Sequence, residues 1–123
     1  NSNYELNKFL DSWRKELHIN KNLEINAKLL YKEDIIKNPK DFVCCFVAGG
    51  AFASLNKKQI EKYKIRILGF LGYANEKSLV HELLHIKLGH LEKQRDEGGG
   101  LFSFFKNNKF EKEVEELLSK IFE

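Results

Sequence analysis

The stretch 78-SLVHELLHIKLGH-90 decides how this chain is read, because it sets three of the four histidines and one glutamate among leucine, isoleucine and valine. Leu79, Val80, Leu83, Leu84, Ile86 and Leu88 cover most of the circumference of a helix. A helix that is apolar all round belongs inside a protein. His81, Glu82 and His85 then have to be explained, since buried imidazoles and carboxylates need partners. Asn75 supplies the N-cap for a helix over residues 76–90.

His81 and His85 stand four apart, one above the other on a helix face, where two imidazole nitrogens can hold one Zn²⁺. Glu82 lies about 100° further round, away from the ligand line but within reach of a water on the open side of the metal. This is the H-E-x-x-H spacing, in which the glutamate serves as general base. A shuffled chain with 4 histidines would show it about 0.01 times, so coincidence is a poor explanation. On a continuous helix His90 would sit about 180° from His81 and face away, and its expected role is at the helix end, against the C-terminal dipole. Gly89 falls four residues after His85, which does not meet the H-E-x-x-H-x-x-G-x-x-H arrangement. Its missing side chain is expected to let another element approach the metal.

Working outward, the chain reads as α+β. Leu6, Phe9, Leu10, Trp13 and Leu17 fall at helical spacing, with Lys8, Asp11, Arg14 and Lys15 opposite. Leu23, Ile25, Ala27 and Leu29 alternate with polar residues as on a half-exposed strand. After the turn signal Asn38-Pro39, the run 41-DFVCCFVAGGAFASL-55 reads as two short strands joined tightly at Gly49-Gly50, or one bent strand. A further strand is expected within residues 63–71, then the histidine helix and a loop at 96-DEGGG-100. A last helix from Asn108 puts Phe110, Val114, Leu117, Leu118, Ile121 and Phe122 on one face. With 123 residues and no internal repeat, a single domain over residues 1–123 with a small, mostly antiparallel sheet is expected.

Composition narrows the partners. Hydrophobic residues at 42% and charged residues at 32% describe a globular chain, with no apolar run long enough to cross a bilayer. The net charge is +3, yet the lysines are scattered and no nucleic-acid module is visible, so nucleic acid is not an expected partner. Cys44 and Cys45 are neighbours and would point to opposite faces of a strand, so they read as reduced packing residues. A reducing, cytoplasmic setting follows. The chain has no methionine even at position 1, which leaves upstream processing open.

The segments 81-HELLHIKLGH-90 and 110-FEKEVEELLSKIF-122 together resemble the gluzincin metallopeptidases, above all the minimal minigluzincins and the ImmA/IrrE-type peptidases. The resemblance implies a zincin-like fold, one Zn²⁺ per chain, and a glutamate from the last helix completing a His, His, Glu site. Glu113 followed by Val114 fits that glutamate better than Glu111, with Glu115 and Glu116 solvated. Position 117, four after Glu113, is a leucine rather than an acid that could orient a ligand histidine, and the outer partners are left unassigned. The implied activity is endopeptidase action on a peptide or protein laid along an edge strand within residues 63–71 or 49–55. Glu82 would accept a proton from zinc-held water and return it to the leaving amine, with Tyr73 as a possible oxyanion donor. A latent or regulated peptidase is one form of this reading; a hinged lid, a self-inhibiting plug or core packing are the options for 98-GGGLFSFF-105. Two other classes remain in play: a regulatory zinc-binding module without turnover, and a soluble piece of an M48-type membrane peptidase.

Overall fold

The computed structural model describes residues 2–29, 37, 42–48, 51–56, 65–69, 75–96 and 101–122. Helix α1 (Ser2–Glu16) leads into strand β1 (Ile25–Leu29), followed by β2 (Phe42–Ala48), β3 (Ala51–Asn56) and β4 (Ile65–Gly69). Three helices complete the order: α2 (Glu76–Lys87), α3 (His90–Asp96) and α4 (Leu101–Ile121). The fold class is therefore α+β. The turn at Asn38-Pro39, Tyr73 and the glycines at 98–100 lie outside the described residues.

The strands form one sheet in the order β1-β4-β3-β2. The β2–β3 and β3–β4 pairings are antiparallel and β1–β4 is parallel, so the mostly antiparallel expectation holds among the described strands. Ala48 pairs with Ala51, which joins β2 and β3 across two residues, and a register shift between Val43 and Phe46 interrupts that ladder. A bulge of this kind bends and twists a strand. The two segments proposed as substrate-binding edges, 63–71 and 49–55, supply β4 and β3, and both are interior strands. Their backbone groups already serve a neighbour on each side, so the edge positions among the described strands belong to β1 and β2 instead.

The core follows the periodicities. Leu6, Leu10 and Leu17 from the first segment pack with Leu79, Val80, Leu83, Leu84 and Ile86 of α2 and with Phe110, Val114 and Leu118 of α4. Trp13 also stacks near Phe122, with ring centroids 5.9 Å apart, drawing the two ends of the chain together. Ile121 departs from the expected apolar face: it is 38% exposed. The backbone of residues 101–105, within the lid, plug or packing segment, forms the opening turns of α4.

Helix α2 starts where Asn75 caps it. The Asn75 side-chain oxygen accepts from the Ser78 amide at 2.8 Å, and the Ser78 hydroxyl accepts from the Asn75 amide at 3.0 Å, a reciprocal capping box. The helix stops earlier than a continuous run to residue 90 would, because Gly89 takes φ +72°. Only glycine enters that left-handed region without strain, and at the position after a helix cap it ends the helix. A new helix, α3, then starts at His90.

Candidate metal centre

Nine consecutive residues of α2, Ser78 through Ile86, are buried, including His81, Glu82 and His85. The side chain of Glu111, on α4, meets this face from the other side. Its Oε2 lies 2.8 Å from His81 Nε2 and its Oε1 lies 3.0 Å from His85 Nε2. These three residues each offer a donor atom within 4.8 Å of the others, an arrangement that could hold a metal ion. Two imidazoles and a carboxylate suit zinc's donor preference.

The acid that reaches His81 and His85 is Glu111, whereas the Glu113 carboxylate meets His90. Taking about 100° per residue, Glu111 lies on the side of α4 marked by Leu118, which is 2% exposed, whereas Glu113 lies beside Leu117, which is only partly buried. The shift of two residues also resolves the missing orienting acid. Glu115, four after Glu111, places Oε1 3.1 Å from His81 Nδ1 although its own side chain is mostly exposed. Its expected role as a purely solvated residue gives way to an ion-pair partner of the first histidine.

Glu113 instead meets His90, with Oε1 2.7 Å from Nε2. His90 does not face away. The break at Gly89 turns its ring back toward α2, where its Nδ1 is 2.8 Å from His85 Nδ1 and the residue is completely buried. Phe110 stacks on the His90 ring at 4.6 Å between centroids, and His85 meets it edge-on at 5.0 Å. Gly89 likewise has a different use from the one expected. Among the described residues a Cβ there would touch only Glu92 Oε2 at 3.7 Å, and it is the backbone conformation that asks for glycine.

The electrostatics separate the acids. Burial opposes the charge on Glu111, but hydrogen bonds from His81 and His85 outweigh it and hold the carboxyl down at about 2. Burial pushes Glu82 well above the ordinary glutamate range, the Glu111 charge adds to this, and the Ala53 amide opposes it. That amide approaches without closing a hydrogen bond, and neither Glu82 oxygen meets a partner among the described residues. The carboxylate lies 3.9 Å from His81 Nε2. Desolvation lowers both His85 and His90, against the contrary pull of Glu111 and Glu113 respectively.

Comparisons with protein-family models, with curated proteins and with solved structures gave no match. Among the described residues no helix is long and apolar enough to cross a membrane. Cys44 and Cys45 both lie on β2, in keeping with their strand reading.

Proposed function

We propose that the protein is a zinc-dependent peptidase of the gluzincin type, with a zincin-like arrangement of sheet, histidine helix and glutamate helix. His81, His85 and Glu111 would hold the metal. The observation that carries this reading is Glu82: a fully buried carboxylate whose oxygens close no hydrogen bond among the described residues, beside a His, His, Glu set that could hold a metal. A zinc site that only braced the fold would need no such group, and burying it costs stability. Functional sites are where such costs are retained.

Zinc, when bound, supplies a Lewis acid that polarises a carbonyl and makes water more acidic. Glu82 takes one proton from the attacking water as the new C–O bond forms, then returns it to the amine nitrogen as the C–N bond breaks. Its raised affinity for protons, caused first by burial, suits a group that must both accept and release one. Glu115 holds His81 through the nitrogen that faces away from the cluster. The substrate class is a peptide or unfolded protein segment.

The test uses Glu82→Gln and wild type, purified side by side, with metal content and cleavage of a denatured protein substrate measured together. The expected result is one zinc per chain in both and loss of at least about 100-fold in cleavage for the variant. Equal cleavage by the two proteins would remove Glu82 from the chemistry, and absence of zinc from wild type would remove the metal.

A further inference from the structure

His18 is the one histidine that takes no part in the cluster around α2, and its backbone is unusual. Helix α1 closes with two bonds: the Ile19 amide donates to Arg14 O at 3.0 Å and the His18 amide to Lys15 O at 3.3 Å. This pair is a Schellman ending, which places His18 at the left-handed position with φ +55°. Among the described residues no other non-glycine residue has positive φ. Glycine fits that position without a Cβ penalty, so histidine there costs stability. Backbone conformations of this kind gather where a chain holds a ligand.

His18 lines a bay of about 500 Å³ with Asp11, Arg14, Lys15, Ile19 and Lys21, so three permanent cations there face one carboxylate. Arg14 and Lys15 lie in the last turn of α1, where the helix dipole favours them. Lys21 and His18 lie beyond the helix, and the dipole does not account for them. Lys15, His18 and Lys21 are exposed and form no ion pair among the described residues. Cations gathered in one bay repel, and a bound anion removes that repulsion. The wall of the bay is already ordered: Arg14 Nη2 donates to Asn20 O and to Leu23 O, each at 2.8 Å, and Asn20 Oδ1 accepts from the Asn22 amide at 2.9 Å. Order that precedes the ligand lowers the entropic cost of binding it. We infer that this bay binds a small phosphate monoester, with Lys15, His18 and Lys21 contacting the phosphate. The excess of two positive charges matches a phosphate dianion, whose several oxygens can accept from several donors at once. The bay has the size of a small-molecule site rather than of a lone ion, and Ile19 with the lysine stems offers the ester's organic part an apolar wall. It shares no residue with the metal cluster and stands whether or not zinc binds.

The test titrates inorganic phosphate and glycerol 2-phosphate into the ¹⁵N-labelled full-length chain, with ionic strength held constant by chloride. Backbone amide signals of residues 15–21 should shift and saturate with both, and glycerol 2-phosphate should bind at least as tightly as inorganic phosphate. Lys15→Ala and Lys21→Ala, at exposed positions that leave the fold intact, should each weaken binding about 3–10-fold. His18→Gly separates ligand contact from turn formation. It should weaken binding while melting no lower than wild type, because glycine is the better residue at that φ. Shifts that fail to saturate, or that chloride alone reproduces, would overturn the site. So would undiminished phosphate affinity in Lys21→Ala and His18→Gly, since the bay would then be a helix end with solvated cations. Saturable binding of inorganic phosphate without binding of glycerol 2-phosphate would overturn the monoester assignment. A lower melting point for His18→Gly would show that histidine serves the turn itself and would overturn the argument from its conformation.

Discussion

Gly89→Ala tests the turn on which the arrangement of the second histidine depends. An L-residue in the left-handed region costs about 1–2 kcal/mol, and the φ of +72° at Gly89 lies in it. Alanine also has a less disordered unfolded state than glycine, which returns about 0.4–1 kcal/mol. Among the described residues no clash adds to the cost, since the new Cβ would meet only Glu92 Oε2 at 3.7 Å. The net loss should be about 1 kcal/mol. An unfolding entropy near 2.1 cal/mol/K per residue makes that roughly a 4 °C fall in melting temperature for a domain of this size. Gly89→Asn, whose side chain tolerates the left-handed region, should lose about half as much. Urea denaturation of metal-free protein at neutral pH measures both. Equal or higher stability in the alanine variant would mean that residue 89 is not held at positive φ; the helix would then continue straight through residue 90 and His90 would face away from His85.

Two further outcomes follow from the acids. Glu111→Ala removes one of the three proposed protein ligands, and since a complete structural zinc site is worth about 10–16 kcal/mol, a loss of at least about 100-fold in affinity is expected by chelator competition. It should also erase most of the fall in melting point that chelator causes in wild type; an unchanged dissociation constant would return the third-ligand assignment to Glu113. In metal-free protein, the folded-state proton affinity of Glu82 is raised above its unfolded 4.5, so its favourable contribution is complete below pH 4.5 and is lost as pH rises toward the folded value. Glu111 acts oppositely: held at about 2, its contribution is present above pH 4.5 and is lost between 4.5 and 2. The stability advantage of Glu82→Gln over wild type, from urea midpoints, should therefore grow from pH 4.5 to 7, and a flat difference would contradict the isolation of that carboxyl.

Much of the architecture was legible where a single local rule decided it. Asn75 caps because its side chain satisfies an orphan amide, and the leucines of residues 79–88 bury α2 because they encircle it. The Ala48–Ala51 register likewise follows from two apolar runs separated by two glycines. The failures came where the answer depended on a direction between elements. A straight helix axis turns His90 away from His81, but the glycine immediately before it is the sign in the sequence that the axis ends. An apolar neighbour points to Glu113, yet burial of Leu118 rather than Leu117 sets which side of α4 faces His81 and His85, and that side carries Glu111. A sign of the observed register is Glu115, an acid one turn beyond Glu111 and suitably placed to meet the outer imidazole nitrogen of His81. Edge and interior strands could not be separated by alternation alone, since both carry the same period.

The spacing of Glu111, Glu113 and Glu115 also governs the order in which the centre can be assembled. His81 and His85 become neighbours as soon as one turn of α2 forms, a local event on the sub-microsecond scale. Every acid that completes or braces the set arrives on one rigid rod some thirty residues later in sequence. A one-residue rotation of that rod would remove all three acids from their histidines together. On the proposed metal reading, capture would be a two-stage process, with weak hold by the imidazole pair followed by locking when α4 seats. The time constant of the second stage reports the closure of that long loop, and it should slow with any change that hinders the seating of Phe110, Val114 or Leu118.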